Sequence, residues 1–311
     1  MNDKMKELSA GMADAVGKAG AYTVTVAARR RLPASGIALD NETILTAAHV
    51  IEDDENIIVV LPDGREMSAE LLGFDPRSDL AALKLASPDA APAELAEDVS
   101  VGQLVLAIGR PFSRGVEASL GILSAKGGPL HGRHGSMLES HYRTDAIPYP
   151  GFSGGPLVDV DGKVIGLNTS GLGIGNSLVI PIQSALKIVE MLKEHGSVKR
   201  GFLGISGQPV ELSEEAQTAL GREQESGLLL VGVEEDGPAA KGGLVVSDIL
   251  VGIGGEAVAN HRELLYHLTG HLVGQEVDVE VLRGGAPKTL KVEIGERPEM
   301  PMDEHRRSRK A

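Results

Sequence analysis

Between Tyr22 and Ile180 no apolar run lasts long before Gly, Asp or Pro cuts it short. The segments YTVTVAA, ASGIALD, TILTAAHV, NIIVVLPDG, LAALKLA, QLVLAIG, EASLGILSA, PLVDVDGKVIGLNT and SLVIPI alternate or run apolar over strand lengths. Many short strands between turn residues predict an all-β barrel or sandwich and exclude a helical bundle. In LVDVDGKVIGL the pair Asp161-Gly162 separates two β-rich arms, the signature of a hairpin closed by a positive-φ turn. With four Phe, four Tyr and no Trp among 311 residues, such barrels must be filled by Val, Leu, Ile and Ala.

The hydrophobic period then changes. In PIQSALKIVEMLKEHGSV, residues 181–198, Ala185, Ile188, Val189 and Leu192 share one helical face, with Pro181 at the start and Gly196 near the end. This pattern reads as a helix that closes the first domain. A second unit follows, with GFLGI, SGLLLVGVEEDGPAAKGGLVVSDILVGIGGEAV, a helical NHRELLYHL and the strands EVDVEVLR and TLKVEIG. At the N-terminal end Met5, Leu8, Met12 and Val16 recur at helical spacing. The organisation expected is a helix over 1–20, a β domain with its closing helix over 21–198, a second domain over 199–296 and a charged, disordered tail over 297–311.

Forty-four Asp and Glu against thirty Lys and Arg give a formal net charge of −14. Phosphate binding needs the opposite sign, so nucleic acid is excluded as a partner, and anionic membrane surfaces are disfavoured. No apolar stretch approaches the roughly 20 residues of a membrane span. The sequence has no cysteine, which removes disulfides, thiolate metal sites and a cysteine nucleophile. MNDKMKELSAGMADAVGKAG contains no apolar core of a signal peptide, so the expected location is the cytoplasm.

One serine stands out by its surroundings. In PYPGFSGGPL, Ser153 lies among three glycines with prolines to either side, a composition that an ordinary turn shares. A serine hydroxyl becomes a nucleophile only with a base, a group that orients the base, and donors for the developing oxyanion. His49 ends the apolar strand of ILTAAHV, and Asp79 enters the apolar strand of RSDLAALKL. A carboxylate set against an apolar run needs a partner once buried. The other histidines lie in polar loops or beside helices. HGRH at 131–134 has two histidines without a further ligand pattern, so no metal or other cofactor is expected.

The sequence order His, Asp, Ser is that of chymotrypsin, and a β-hairpin follows the serine where an α/β-hydrolase would have a helix. Together TAAH, SDLAALKL and GFSGGPL resemble the trypsin-like serine proteases. TDAIPYPGFSGGPL and the junction IPIQSALKIVEMLKEHGSVKRGFLGI are similar to the HtrA/Deg family, and the resemblance covers about residues 20–296. It implies a mainly β protein, a chymotrypsin-like double β-barrel followed by a PDZ domain. It also implies Ser153 as nucleophile, His49 as general base, Asp79 as its orienting group, and the N–H groups of Gly151 and Ser153 as oxyanion hole.

On the same resemblance Ile147, Leu167, Asn168, Thr169 and Ser170 would line a first pocket for small or medium aliphatic side chains. Phe152 stands where this family most often has Asn, which bears on how the serine loop settles. In the second domain Phe202, Leu203, Gly204 and Ile205 would receive a peptide or a free C-terminus along a sheet edge. Ser247 replaces the glycine usual there before Asp248, and Gly254 the usual Asn. The expected function is a serine endopeptidase acting on unfolded or extended polypeptides in protein quality control. It would be a homotrimer built through the region around residues 5–25. The alternative class is a non-catalytic peptide-binding chaperone or scaffold on a protease fold.

Overall fold

The computed structural model describes residues 3–29, 32–112, 115–131, 137–172, 177–268 and 272–297. The protein divides into two compact units, one ending at Val198 and the next beginning at Lys199. The first starts with helix α1 (Asp3–Tyr22), which continues six residues past Val16. Only its C-terminal half is anchored: Ala15, Ala19, Gly20 and Tyr22 are buried, whereas Met5 is 57% and Leu8 44% exposed. The Tyr22 hydroxyl donates to the carbonyl of Gly162.

Strands β1 (Thr23–Ala27), β2 (Ala34–Ala38), β3 (Thr43–Ala47), β4 (Ile57–Val60), β5 (Glu66–Asp75) and β6 (Leu80–Leu85) close into a barrel in the order β1-β2-β3-β6-β5-β4. Every residue of β2 and β3 is buried, so their sequences ASGIA and TILTA mix small and aliphatic residues instead of alternating with charge. Val24, Val26, Ile44, Val59 and Leu83 share one face of these paired strands and Ile37 and Leu45 the other, and all seven are buried.

A second barrel is built from β7 (Leu104–Gly109), β8 (Glu117–Gly127), β11 (His141–Thr144), β12 (Pro156–Val158), β13 (Val164–Thr169) and β14 (Leu178–Pro181). Its order is β11-β14-β13-β12-β7-β8, and the short strands β9 (Leu130–His131) and β10 (Met137–Leu138) pair with each other. The β12–β13 connection is the expected hairpin, with Gly162 at φ +82°. Val105, Ala107, Leu123, Leu157, Ile165 and Val179 surround Phe152, the only one of the four phenylalanines that is fully buried. Helix α2 (Ile182–His195) follows, burying Ile182, Ala185, Val189 and Leu192 and ending at Gly196 with φ +74°. Two closed barrels are the mainly β architecture expected.

The second unit carries a sheet of β16 (Ile205–Glu211), β17 (Ser226–Val233), β18 (Ile249–Ile253), β20 (Glu276–Arg283) and β21 (Ala286–Glu293), in that order, with β19 (Glu256–Ala257) beside β18. A separate pair joins β15 (Gly201–Phe202) to β22 (Gly295–Glu296). Helices α3 (Glu214–Leu220), α4 (Pro238–Lys241) and α5 (His261–His267) complete it around Leu228, Leu230, Leu250, Leu264, Val279 and Val281. Strand β16 is an edge, bonded to β17 alone, and α5 packs next to it. The expected tail lies, after Arg297, outside the described residues.

Candidate active site

The apolar strand β3 delivers His49 into a short 3₁₀ turn, Ala48–Val50, at its end. Asp79, just ahead of β6, faces it. The His49 backbone N–H donates to Oδ1 of Asp79 at 2.8 Å, and the ring Nδ1 lies 2.8 Å from Oδ2. The Ala48 N–H donates to the Asp79 carbonyl at 3.0 Å, closing the two segments together. Asp79 takes φ +59°, a left-handed conformation that Asp and Asn tolerate better than other residues with a side chain. Its carboxylate is fully buried, and burial alone would raise its pKa. The charge and ring hydrogen bond of His49, with the Thr169 hydroxyl and the His49 backbone N–H, outweigh burial and hold it below the ordinary carboxylate value. The His49 side chain keeps 12% of its surface exposed, so its far edge remains open.

The loop from Tyr149 to Gly155 carries Ser153 between two turns. The Phe152 N–H donates to the Tyr149 carbonyl at 3.0 Å across Pro150-Gly151, and the Gly155 N–H donates to the Phe152 carbonyl at 2.8 Å. Proline followed by a residue at φ +90° is the composition of a type II turn, and Gly151 meets it at no steric cost. A Cβ at Gly151 would also come within 2.3 Å of Pro111. The N–H groups of Gly151 and Ser153 have no acceptor among the described residues, although Gly151 is buried. Both donors are thus left for an acceptor from outside the protein.

The half-buried Ser153 hydroxyl lies 3.2 Å from the Ser170 hydroxyl, and no hydrogen bond joins it to His49. The next residue, Gly171, sits against the His49–Asp79 pair, where a Cβ would fall 2.5 Å from Nδ1 of His49 and 2.3 Å from Oδ2 of Asp79. The end of β13 thus touches Ser153 through one residue and the histidine–aspartate pair through the next.

Of the residues expected to line a pocket, Ile147 is 60% exposed and Leu167 is fully buried. Asn168 donates its amide to the carbonyls of Gly155 and Pro156 at 3.1 and 2.9 Å, bracing the serine loop. Thr169 donates its hydroxyl to Oδ2 of Asp79, and Ser170 is the neighbour of Ser153. Sequence reasoning assigned Thr169 to the pocket wall and missed its bond to Asp79. The two residues are 90 positions apart, and no local pattern marks the pair. The ring of Phe152 leaves the loop for the barrel core and lies against Gly109, where a Cβ would be 2.4 Å from it. Tyr149 meets the ring edge-on at 5.5 Å.

In the second unit Phe202, Leu203, Gly204 and Ile205 lead from β15 into the open edge of β16, with Gly204 at φ +72°. Their carbonyls at Leu203 and Gly204 accept from Ala239 and Glu234, each at 2.8 Å, which fixes the loop. Among the described residues no cluster of His, Asp and Glu could hold a metal ion, and His134 of HGRH lies outside them.

Residues 34–167 match the trypsin-like peptidase domain family and residues 201–294 the PDZ domain family. The HtrA-type protease AlgW, solved with a decapeptide, superposes at a TM-score of 0.77 with 31% identity, over 93% of this chain and 99% of that one. The chain belongs to the HtrA family of serine proteases. A serine endoprotease from Yersinia pestis is similar in structure, with a TM-score of 0.76 and 31% identity over 92% of this chain and 98% of its own. HtrA-family relatives named DegP-like periplasmic serine endoproteases come from Pseudomonas fulva (strain 12-X) and Halomonas elongata. They are 40% and 37% identical over 82% and 87% of this chain. Those matches cover 54% and 58% of the relatives, so the chain spans about half the length of the curated relatives it matches.

The cytoplasmic location expected from the sequence is corrected by these HtrA relatives, whose names place them in the periplasm. The expectation leaned on missing features, and neither a lack of cysteine nor a first segment without an apolar core reports a compartment. No helix among the described residues is long and apolar enough to cross a membrane.

Proposed function

We propose that this protein is a serine endopeptidase of the periplasm that cleaves unfolded or extended polypeptides, with Ser153 as nucleophile. The observation that carries the reading is the His49–Asp79 pair. A buried carboxylate, kept ionised, holds Nδ1 of a histidine whose far edge stays open. Asp79 fixes the ring orientation and the tautomer with the proton on Nδ1, which leaves Nε2 free to accept a proton. Ser153 turns its hydroxyl from Ser170 toward Nε2 and attacks the scissile carbonyl as His49 takes the proton. The N–H groups of Gly151 and Ser153 receive the negative oxygen of the tetrahedral intermediate. His49 then protonates the leaving amine, and water repeats the sequence to release the acyl group. Asp79 remains charged throughout and stabilises the imidazolium.

Ile147 and Ser170 bound the first pocket, with the buried Leu167, Asn168 and Thr169 behind its wall, and the pocket favours small or medium aliphatic side chains. The PDZ domain takes peptides or C-termini along β16, with Phe202, Leu203, Gly204 and Ile205 at the head of the groove and α5 as its other wall. The AlgW structure with a decapeptide supports peptide recognition in this family. The exposed apolar stripe of α1, Met5 and Leu8 among it, supports a homotrimer built through the N-terminal segment. The domains run 21–198 for the protease and 199–296 for PDZ, with an N-terminal segment over 1–20 that α1 enters and a tail over 297–311.

The test is labelling by a fluorophosphonate together with casein cleavage. Wild type is expected to label and cleave, and Ser153→Ala to lose both, with turnover falling by about 10⁴- to 10⁶-fold. A folded wild type that resists the probe even with PDZ-binding peptides present sinks the endopeptidase reading in favour of a peptide-binding chaperone.

A further inference from the structure

Ser35 belongs to β2 of the first barrel, yet two of its polar groups hold the serine loop of the second. Its hydroxyl donates to the Gly151 carbonyl at 2.8 Å, and its N–H donates to the Ser153 carbonyl at 3.1 Å. The direction of the first bond is fixed, because the Arg110 N–H donates to the same hydroxyl oxygen at 2.8 Å and leaves the hydroxyl proton for Gly151. Ser35 is fully buried, so water does not compete for these groups.

The peptide planes explain what this achieves. The 151–152 peptide is pinned twice, its C=O by Ser35 and its N–H by the Tyr149 carbonyl. The 153–154 peptide is pinned twice as well, its C=O by Ser35 and its N–H by the Asn168 carbonyl. Both pinned peptides flank the 152–153 peptide, whose N–H is that of Ser153, and the first of them fixes the conformation of Gly151. Without the Ser35 hydroxyl the 151–152 peptide keeps only its bond to the Tyr149 carbonyl, and Gly151 has no side chain to resist rotation.

Arg110 connects this node to α1. Its buried guanidinium donates from Nε to the Thr23 carbonyl and from Nη2 to the Gly20 carbonyl, both at 2.7 Å. Its own carbonyl accepts from the Thr25 hydroxyl at 2.6 Å. A cation at the carbonyl end of a helix is favoured by the helix dipole. One residue therefore grips the anchored end of α1 with its side chain and the Ser35 hydroxyl with its backbone.

We propose that Ser35 is the positioning residue for the Gly151–Ser153 loop, and that Arg110 ties it to the anchored end of α1, so that the seating of α1 is transmitted to the oxyanion donors. The proposal rests on the reading of Ser153 as nucleophile.

Two measurements on the full-length protein test it. One is kcat and KM on a fluorogenic peptide, and the other is hydrogen exchange by mass spectrometry over residues 148–157. Ser35→Ala is expected to lower kcat by about 10- to 100-fold at unchanged KM, somewhat less than deleting an oxyanion donor outright. Exchange in 148–157 should rise at least about tenfold, the Gly154 amide included, while the barrel strands stay protected. Arg110→Met should speed exchange in both 15–22 and 148–157, and it carries the comparison if Ser35→Ala does not fold. The proposal is overturned if kcat and loop exchange in Ser35→Ala stay at the wild-type level, or if exchange rises evenly through both barrels. Faster exchange confined to 15–22 in Arg110→Met removes the tie to α1. A wild type without turnover defeats the protease reading alone, since loop exchange still decides the role of Ser35.

Discussion

The Thr169 hydroxyl donates to Oδ2 of Asp79, the same carboxylate oxygen that lies 2.8 Å from the His49 ring. One oxygen of a buried carboxylate is thereby shared between a histidine and a residue at the end of a strand in the other barrel. The bond helps hold the native Asp79 pKa below its ordinary value against the opposing effect of burial.

A native pKa held below the unfolded value of about 3.9 contributes stability that is present above about pH 4 and lost as pH falls through the native pKa. Thr169→Val removes one contribution to that depression and raises the native pKa of Asp79. At pH 7 the variant is expected to lose about 1.5–3 kcal/mol, the range for hydrogen bonds to charged groups. The deficit should shrink as the carboxyl protonates. Urea melts along a falling pH series, with Asp79 protonation followed by its carboxyl carbon NMR shift, check this, and a deficit unchanged once the carboxyl is protonated would disprove the electrostatic account.

Gly171→Ala probes the same pair by volume. The new methyl would stand 2.3 Å from Asp79 Oδ2 and 2.5 Å from His49 Nδ1, and both atoms are held by hydrogen bonds. Overpacking of this kind costs about 1–3 kcal/mol. A histidine displaced by about an ångström lowers kcat/KM by roughly 100-fold. Steady-state kinetics and a thermal melt measure the two effects. Wild-type kinetics would mean that the pair yields more easily than its hydrogen bonds imply.

Phe152 is the largest side chain in the second barrel's core. Truncation to Ala is expected to cost about 3–5 kcal/mol, and Phe152→Leu less than about 1.5 kcal/mol. Phe152→Asn should be at least as harmful as Ala, because its amide would be buried among Val105, Leu123 and Leu157. Chemical denaturation ranks the three. An Asn variant as stable as wild type would show that the loop can adopt another packing.

Ser247 occupies φ +78°. An L residue pays about 1–2 kcal/mol in the left-handed region, part of which a glycine gives back through its greater unfolded-state freedom. Ser247→Gly is expected to stabilise the PDZ unit by about 0.5–1 kcal/mol, raising its melting temperature by a few degrees. A lower melting temperature would contradict this.

The barrels were legible because strand length and turn residues are local properties, and His49 stood out as the histidine that ends an apolar strand. Asp79 could be picked out by its place before an apolar run. Convergence across the fold was hidden. Ser35 reads as a small residue in ASGIA, and its partner Gly151 is 116 positions away. Asn168 was expected in the pocket wall, and its amide bonds to the Gly155 and Pro156 carbonyls join residues that no local pattern links. Phe152 was marked for its bearing on how the loop settles, but not its direction: its ring is buried against Gly109 and anchors the loop in the barrel core. The compartment was misread because it was inferred from features the sequence lacks.

The left-handed backbone at Asp79 has a bearing on how the site can be altered. Its carboxylate must reach His49 from a conformation at φ +59°, so the position filters residues twice, by charge and by backbone shape. Asparagine passes the second filter and fails the first, which makes Asp79→Asn the substitution that isolates the charge. Alanine or glutamate would confound lost charge or altered reach with a twisted backbone. Drift at this position is thus confined to a very small alphabet, and a protein that abandoned catalysis could keep its shape here through a single neutral step.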